Sequence, residues 1–466
     1  MTFDKLIDDM AADIIKSTQE ILRYKSVKGN PMPGAPFGEG VKLSLDYVLS
    51  LAEKMGFEVK NLDGYAGYAQ YGEGDEMVGI LAHLDVVPEG SGWTYPPYGG
   101  EIHDNRIYGR GAIDDKGPAI ASLYALKAVK DSGVSLKRKV RIIFGTNEET
   151  GWGDIDYYKG HDRYPDLGFT PDANFPLIYA EKGILTCKIE MDFENRKEGY
   201  VELKRLSGGS AANMVPDYCE AYLWVEPTKK DYTKMLIMRI ASEDSVNIKL
   251  SEDDGGIIIK SYGVAAHGST PEKGVNAIMQ LIMILYRLDF AKDDVYQYIT
   301  HFAEKVGMDY TGKSMGLDIR DDISGGLTYN VGVMHIDDKR GYAEINIRYP
   351  VTSRKDVVEG IIKEQLPSRF KYTYLNGFEP LYVSTDSELT KKLMDVYRKA
   401  TGDDVSMPIA IGGGTYARAF KNFVAFGPVF PGGVELAHQR DEYIDVDHLI
   451  KLVKIYSMAI YELCNI

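Results

Sequence analysis

Cysteine is scarce: Cys187, Cys219 and Cys464 are the only three among 466 residues. Odd in number and far apart, they form neither a disulfide framework nor a C-x-x-C metal pair, so a reduced, cytoplasmic chain with three small buried thiols is expected. Long apolar runs are missing too. "LIMILY" at 281–286 falls well short of the ~20 residues a membrane helix needs. The opening "MTFDKLIDDMAADIIKSTQEIL" carries acids throughout and no basic start, so no secretory signal is expected. Basic residues are in deficit, with 54 Lys and Arg against 69 Asp and Glu and a net charge of −15. That balance disfavours nucleic acid and anionic lipid as partners and suits a protein that holds cations.

What is present is a globular composition, 44% hydrophobic, and a length that favours two or more domains. Helical spacing over 4–25 is followed by a Pro/Gly-rich loop, "KGNPMPGAPFGEG" (28–40), and a second helical pattern to Met55. "MVGILAH" (77–83) and "KVRIIFGTNEE" (139–149) read as buried strands separated by a helix over 117–133. Strand, helix, strand in that order predicts a parallel α/β sheet. From about 190 the texture becomes alternating strands and hairpins, including "NVGVMHIDDKRGYAEINIRYP" (330–350) with a turn at "DDKRG". Beyond 383 come an amphipathic helix (386–400), the loop "IGGGTYAR" (411–418), a short strand "FVAFGP" (423–428) and a last helix near 446–463. The expected architecture is α/β: a catalytic domain with a mostly parallel sheet flanked by helices, built from 1–189 and 383–466, and an inserted α+β lid domain with an antiparallel sheet at 190–382.

Ligands of parallel sheets bind beyond the carboxyl ends of the strands, and His83 and the pair Glu148-Glu149 fall at such ends. Four polar segments gather there: "HLD" (83–85), "GRGAIDDKGP" (109–118), "GTNEETG" (145–151) and "TPDANFP" (170–176), joined by "ELAHQRDEY" (435–443). Two imidazoles with several carboxylates suit Zn²⁺ and, less tightly, Mn²⁺ or Co²⁺, whereas calcium favours oxygen ligands alone. A single such histidine, acidic pair or glycine run is ordinarily structural; it is their succession that indicates a site. His103, His161, His301, His335 and His448 lack supporting neighbours and read as structural or solvated.

In that succession, and in "SYGVAAHGSTPEKGVNA" (261–277), the chain resembles the dinuclear metallopeptidases and deacylases that include carboxypeptidase G, succinyl-diaminopimelate desuccinylase, aminoacylase and the carnosinase and PepV-type dipeptidases. The resemblance implies His83, Asp114, Glu149, Asp172 and His438 as ligands of two divalent ions, most simply Zn²⁺, with Asp114 bridging. It implies that Asp85 hydrogen-bonds the second nitrogen of His83, and that Glu148 is the general base for a water acidified toward a pKa of ~7. A cis peptide between Asp114 and Asp115 is also implied. His267 would reach from the second domain, on closure, to donate to the oxyanion. Arg348 would clamp a substrate carboxylate, with Asn213 and the backbone of Gly413 to Thr415 adding polar contacts.

Two divalent cations, three ligand carboxylates and a hydroxide sum to no net charge, as a secluded site requires. A second domain of about 190 residues and the wording "HLDVVPEGSGW" resemble the PepV type, which acts on Xaa-His and other free-amine dipeptides. In that type the enlarged lid replaces a partner subunit, so a monomer is expected. An N-acyl amino acid deacylase is the alternative activity. A non-catalytic binding relative would have lost the base or a ligand, and neither is missing.

Overall fold

The computed structural model describes residues 3–253 and 255–466. They pack as two compact units, one comprising the chain up to Ala180 with 382–409 and 414–466, the other Glu181–Leu381 with 410–413.

The sheet of the first unit is parallel at its centre and antiparallel at its flanks. Lys139–Gly145, Met77–His83, Leu167–Thr170 and Phe423–Ala425 run parallel and in that order. Ala66–Tyr71 and Glu58–Leu62 extend one side antiparallel, and Ile178–Glu181 begins the other. The strand Met77–His83, apolar as far as Ala82, is buried at every residue, as a strand covered on both faces must be. The helix Lys116–Asp131 returns the chain to a parallel neighbour, with Met77 opposite Lys139 and His83 opposite Gly145. Most of that helix is buried, Ala, Ile and Leu among small and polar residues, and it packs against the C-terminal helix Val446–Cys464. This right-sized crossover fixes the register that aligns the ends of all the central strands.

The second unit is built on an antiparallel sheet in the order Ile248–Asp253, Gly256–Tyr262, Tyr218–Val225, Val201–Gly208, Thr328–Ile336, Arg340–Tyr349, Gly183–Asp192, Lys371–Phe378. Its strands alternate buried and exposed residues, as in Tyr218–Val225. One face carries the helices Lys230–Glu243, Ala277–Tyr286, Asp294–Lys305 and Lys355–Gln365. The hairpin read from "DDKRG" is present, with Ile336 opposite Gly341. All three cysteines are buried and unpaired.

The strand Gly183–Asp192 lies wholly in the second unit because it pairs on both sides within it, to Arg340–Tyr349 and Lys371–Phe378. Residues 410–413, where the glycine-rich loop begins, also pack with the second unit. Sequence texture marks neither boundary, since the apolar alternation begins before the chain changes unit.

Candidate metal centre

The carboxyl ends of the parallel strands bring together the residues that the sequence scatters over 355 positions. His83 ends the strand Met77–His83; Glu148 and Glu149 follow Lys139–Gly145; Asp172 follows Leu167–Thr170; Asp114 precedes the helix Lys116–Asp131; His438 lies in the loop after Phe423–Ala425.

Asp114 is the hub. Its Oδ1 lies 3.0 Å from His83 Nε2, and its Oδ2 lies 3.2 Å from His438 Nε2. Asp172 Oδ2 is 3.6 Å from His83 Nε2, while Glu149 Oε1 is 3.0 Å from His438 Nε2. Each oxygen of one carboxylate thus faces a different imidazole, and each imidazole has its own second acid. Donor atoms of His83, Asp114 and Glu149 lie within 4.8 Å of one another. The peptide between Asp114 and Asp115 is cis, as the resemblance implies.

Ionisation follows from this crowding. Burial opposes charge on His83, but Asp114, Asp172 and Asp85 together hold its pKa well above the ordinary value. His438 is pushed up to about 10 by Asp114 and Glu149. Burial also opposes charge on Asp114, yet His438 and His83 keep it below the usual carboxylate range. Burial, reinforced by neighbouring carboxylates, raises Asp172, Glu148 and Asp115. A pocket that holds this many acids around two imidazoles needs cations, and oxygen and nitrogen donors in this mixture fit Zn²⁺-type ions. The residues present fit two divalent metals.

Supporting groups orient these side chains. His83 Nδ1 lies 2.9 Å from the backbone oxygen of Asp85 and 3.6 Å from Asp85 Oδ1. The carbonyl of Asp85 is the nearer partner of that nitrogen, with the expected carboxylate beside it at ion-pair distance. The chain turns immediately after the strand, swinging that carbonyl toward the ring, and the Asp85 carboxylate accepts from the backbone N–H groups of Glu148 and Glu149 at 3.0 and 3.1 Å. Asp154 Oδ2 holds the same turn by accepting from Thr146 N and Asn147 N, and also takes the Tyr416 hydroxyl. The Trp152 indole N–H donates to Glu148 Oε1 at 3.2 Å. Asp154, Trp152 and Tyr416 were not visible in the sequence as functional residues, although "EETGWGD" places Trp152 one helical turn from Glu148.

His267, Asn213, Arg348 and Gly413 lie in the second unit, and Thr415 in the first. His267 pairs in register with Met214, and its Nδ1 accepts from Ser269 N at 3.2 Å. That leaves the proton of the neutral ring on Nε2. Burial and the nearby Arg348 lower its pKa, which favours this neutral donor. The backbone oxygen of Asn213 accepts from Gly268 N at 2.7 Å. Arg348 is buried, its Nε donating to Asn346 Oδ1 at 2.7 Å and its Nη1 to Gly412 O at 3.1 Å. Thr415 caps the short helix Tyr416–Ala419 through its side chain.

Comparison with known proteins agrees with this geometry. The profile of "Peptidase family M20/M25/M40" matches residues 79–462. The chain belongs to this family. A Bacillus subtilis (strain 168) member, "Putative dipeptidase YtjP", is 42% identical over 459 residues, covering 97% of each chain. "Putative dipeptidase" of Staphylococcus epidermidis (strain ATCC 12228 / FDA PCI 1200) is 36% identical over 465 residues, again covering 97% of each. Among solved M20-type folds, human carnosine dipeptidase 1 superposes with a TM-score of 0.56 at 15% identity, covering 100% of this chain and 99% of that one. The dipeptidase Dug1p of Saccharomyces cerevisiae gives 0.57 at 14%, covering 100% and 98%. At those identities the likeness is one of fold.

Proposed function

We propose that this metallopeptidase is a dipeptidase that hydrolyses the peptide bond of free-amine dipeptides. The observation that carries the reading is Asp114 set between His83 and His438, with Glu148 beside the cluster. The names of relatives matched along their whole length support the substrate class. Two divalent ions, most simply Zn²⁺, held by His83, Asp114, Asp172, Glu149 and His438, would supply Lewis acidity that polarises the carbonyl and acidifies water at the site.

Glu148 then acts as general base and returns the proton to the leaving amine. Its carboxylate is aimed by the Trp152 indole and its backbone is held by Asp85. His267, protonated on Nε2, is the proposed donor to the oxyanion, where a neutral N–H is worth most once water is excluded. Arg348, its fork positioned by Asn346, is the proposed partner of the substrate carboxylate, with Asn213, Gly413 and Thr415 adding polar contacts. A second unit as long as Glu181–Leu381 supports a monomer, and three unpaired buried cysteines support a cytoplasmic setting. Light scattering at 52 kDa would agree with the first point and at twice that mass would refute it.

The test is turnover of a panel of free-amine dipeptides and N-acylated amino acids by metal-stripped protein, with Zn²⁺, Mn²⁺ or Co²⁺ restored, beside Glu148→Gln. Dipeptide turnover that needs metal and is lost by on the order of 10² to 10⁴ in the variant supports the reading. Turnover of acylated substrates alone would instead make the protein a deacylase.

A further inference from the structure

Seven residues separate the strand Arg106–Tyr108 from the helix Lys116–Asp131, and the hub of the metal centre, Asp114, lies among them. Backbone N–H groups in such a stretch have no ladder to join, so another acceptor must satisfy them. Three of the seven, those of Gly111, Ile113 and Asp114, go to one side chain, while Arg110 N and Ala112 N find the backbone oxygens of Pro97 and Gly109. Glu442 Oε1 accepts from Gly111 N at 3.1 Å, Ile113 N at 3.0 Å and Asp114 N at 3.2 Å. Its Oε2 accepts from Arg110 Nη1 at 2.7 Å, and its backbone oxygen accepts from Gly109 N at 2.9 Å. Glu442 and Arg110 are both buried.

Glu442 stands four residues after His438, and the segment between them is itself constrained. His438 and Asp441 hold left-handed backbone angles, φ 65 and φ 55. The Asp441 carboxylate accepts from Thr94 N and Thr94 Oγ1 at 2.6 and 2.9 Å. Directly after Glu442, the strand Tyr443–Asp445 pairs with Arg106–Tyr108, Tyr443 opposite Tyr108. One carboxylate therefore ties the loop bearing Asp114 to the segment bearing His438.

We infer that Glu442 is a positioning residue for the metal centre, a clasp that holds Asp114 and His438 in ligand geometry before any metal binds. This rests on the metal-centre reading. Every lone pair it uses faces a donor, which requires the deprotonated carboxylate. Glutamine of the same shape must point an NH₂ either at three backbone N–H groups or at Arg110, so Glu442→Gln opposes donors whichever way its amide turns. Such supporting partners typically change metal affinity by 10- to 100-fold.

The experiment titrates metal-stripped full-length protein with Co²⁺, following the visible d–d absorption and the bound stoichiometry by equilibrium dialysis. The wild type should bind two Co²⁺ per chain. Glu442→Gln should bind at least one of them tenfold or more weakly, with an altered spectrum, whereas Leu452→Ala, a buried position of the same unit away from the clasp, should lower thermal stability and leave both sites and the spectrum intact. Two ions bound by folded Glu442→Gln with wild-type affinity and spectrum would overturn the clasp. A wild type that binds no Co²⁺ would overturn the metal centre itself and the clasp with it. Should Glu442→Gln not fold, amide hydrogen exchange on metal-free wild type decides instead. Protection at Gly111, Ile113 and Asp114 is expected, and exchange at the rate of free peptide would overturn the inference.

Discussion

The indole nitrogen of Trp152 stands 3.2 Å from Oε1 of Glu148. Trp152 reaches this position from a left-handed backbone, φ 62, at the start of the helix Gly153–His161, and its ring packs edge-on against Tyr416 at 5.2 Å. The indole gives Glu148, the proposed base, one fixed donor. Trp152→Phe keeps the ring and removes the donor. Its kcat should fall roughly ten- to a hundredfold, within the span that positioning of a general base contributes, while bound metal stays at the wild-type level. Steady-state kinetics with metal analysis on the same samples decides it, and unchanged kcat would show that the indole only packs.

Asp85 serves the proposed base and a proposed ligand from one residue, through its carbonyl to His83 Nδ1 and its carboxylate to the amides of Glu148 and Glu149. Asp85→Asn leaves the carbonyl but turns an NH₂ toward one of those two N–H groups. Both the base and the Glu149 ligand should be displaced together. The expected outcome is a kcat loss larger than any change in KM, with metal affinity lowered about 10- to 100-fold. A variant with wild-type affinity and a raised KM alone would contradict it.

Much of this was legible in the sequence for physical reasons that can be named. Met77–Ala82 is apolar throughout because both its faces are covered, so strand and parallel partner could both be read. Polar residues at the ends of such strands had nowhere to point except the open edge of the sheet. Glu442, Asp154 and Trp152 were illegible because they act on backbone N–H groups or on another side chain, and no residue type is reserved for that work. That the carbonyl of Asp85 lies nearer His83 Nδ1 than its carboxylate does was illegible for a related reason: side-chain alternation holds within a strand, and Asp85 lies past its end. The unit to which 410–413 belong has no compositional mark at all.

His301 should give the second unit a sensitivity to acid. It is buried at 6% exposure, its Nε2 has no hydrogen-bond partner among the described residues, and its ring lies 4.7 Å from that of Phe370. Burial first, then the nearby Lys305, lowers its pKa from 6.5 to about 4, with Glu304 opposing. A base whose pKa is depressed on folding takes up its proton first in the unfolded chain. Its contribution is therefore complete above pH 6.5 and is lost as pH falls toward 4. At about 1.4 kcal/mol for each tenfold change in acidity, the loss approaches about 3 kcal/mol. His301→Phe removes the titrating group, so urea unfolding across this window should show a shallower decline in the variant than in the wild type. Parallel declines would place the acid sensitivity elsewhere.

Arg348, the proposed partner of the substrate carboxylate, would separate recognition of that group from the chemistry. Its Nε is committed to Asn346 Oδ1, and Asn346 Nδ2 in turn donates to Thr186 Oγ1 at 2.9 Å. All three residues are buried on adjacent strands of the second unit's sheet, Arg348 opposite Ile184 and Asn346 opposite Thr186. The guanidinium plane is thereby fixed, which is the condition for a fork to grip two oxygens at once. Lysine keeps the charge and cannot reproduce the fork. Arg348→Lys should raise KM for free dipeptides about 10- to 100-fold, the worth of one charge-assisted hydrogen bond of about 1.5–3 kcal/mol, and leave kcat within a few fold. Dipeptide amides, which lack the carboxylate, should be poor substrates of the wild type and should lose little more in the variant. Asn346→Leu should move KM in the same direction by a smaller factor, because it frees the guanidinium without removing it. If Arg348→Lys lowered kcat and left KM unchanged for both substrate classes, the arginine would belong to the transition state and the carboxylate would be held by another group.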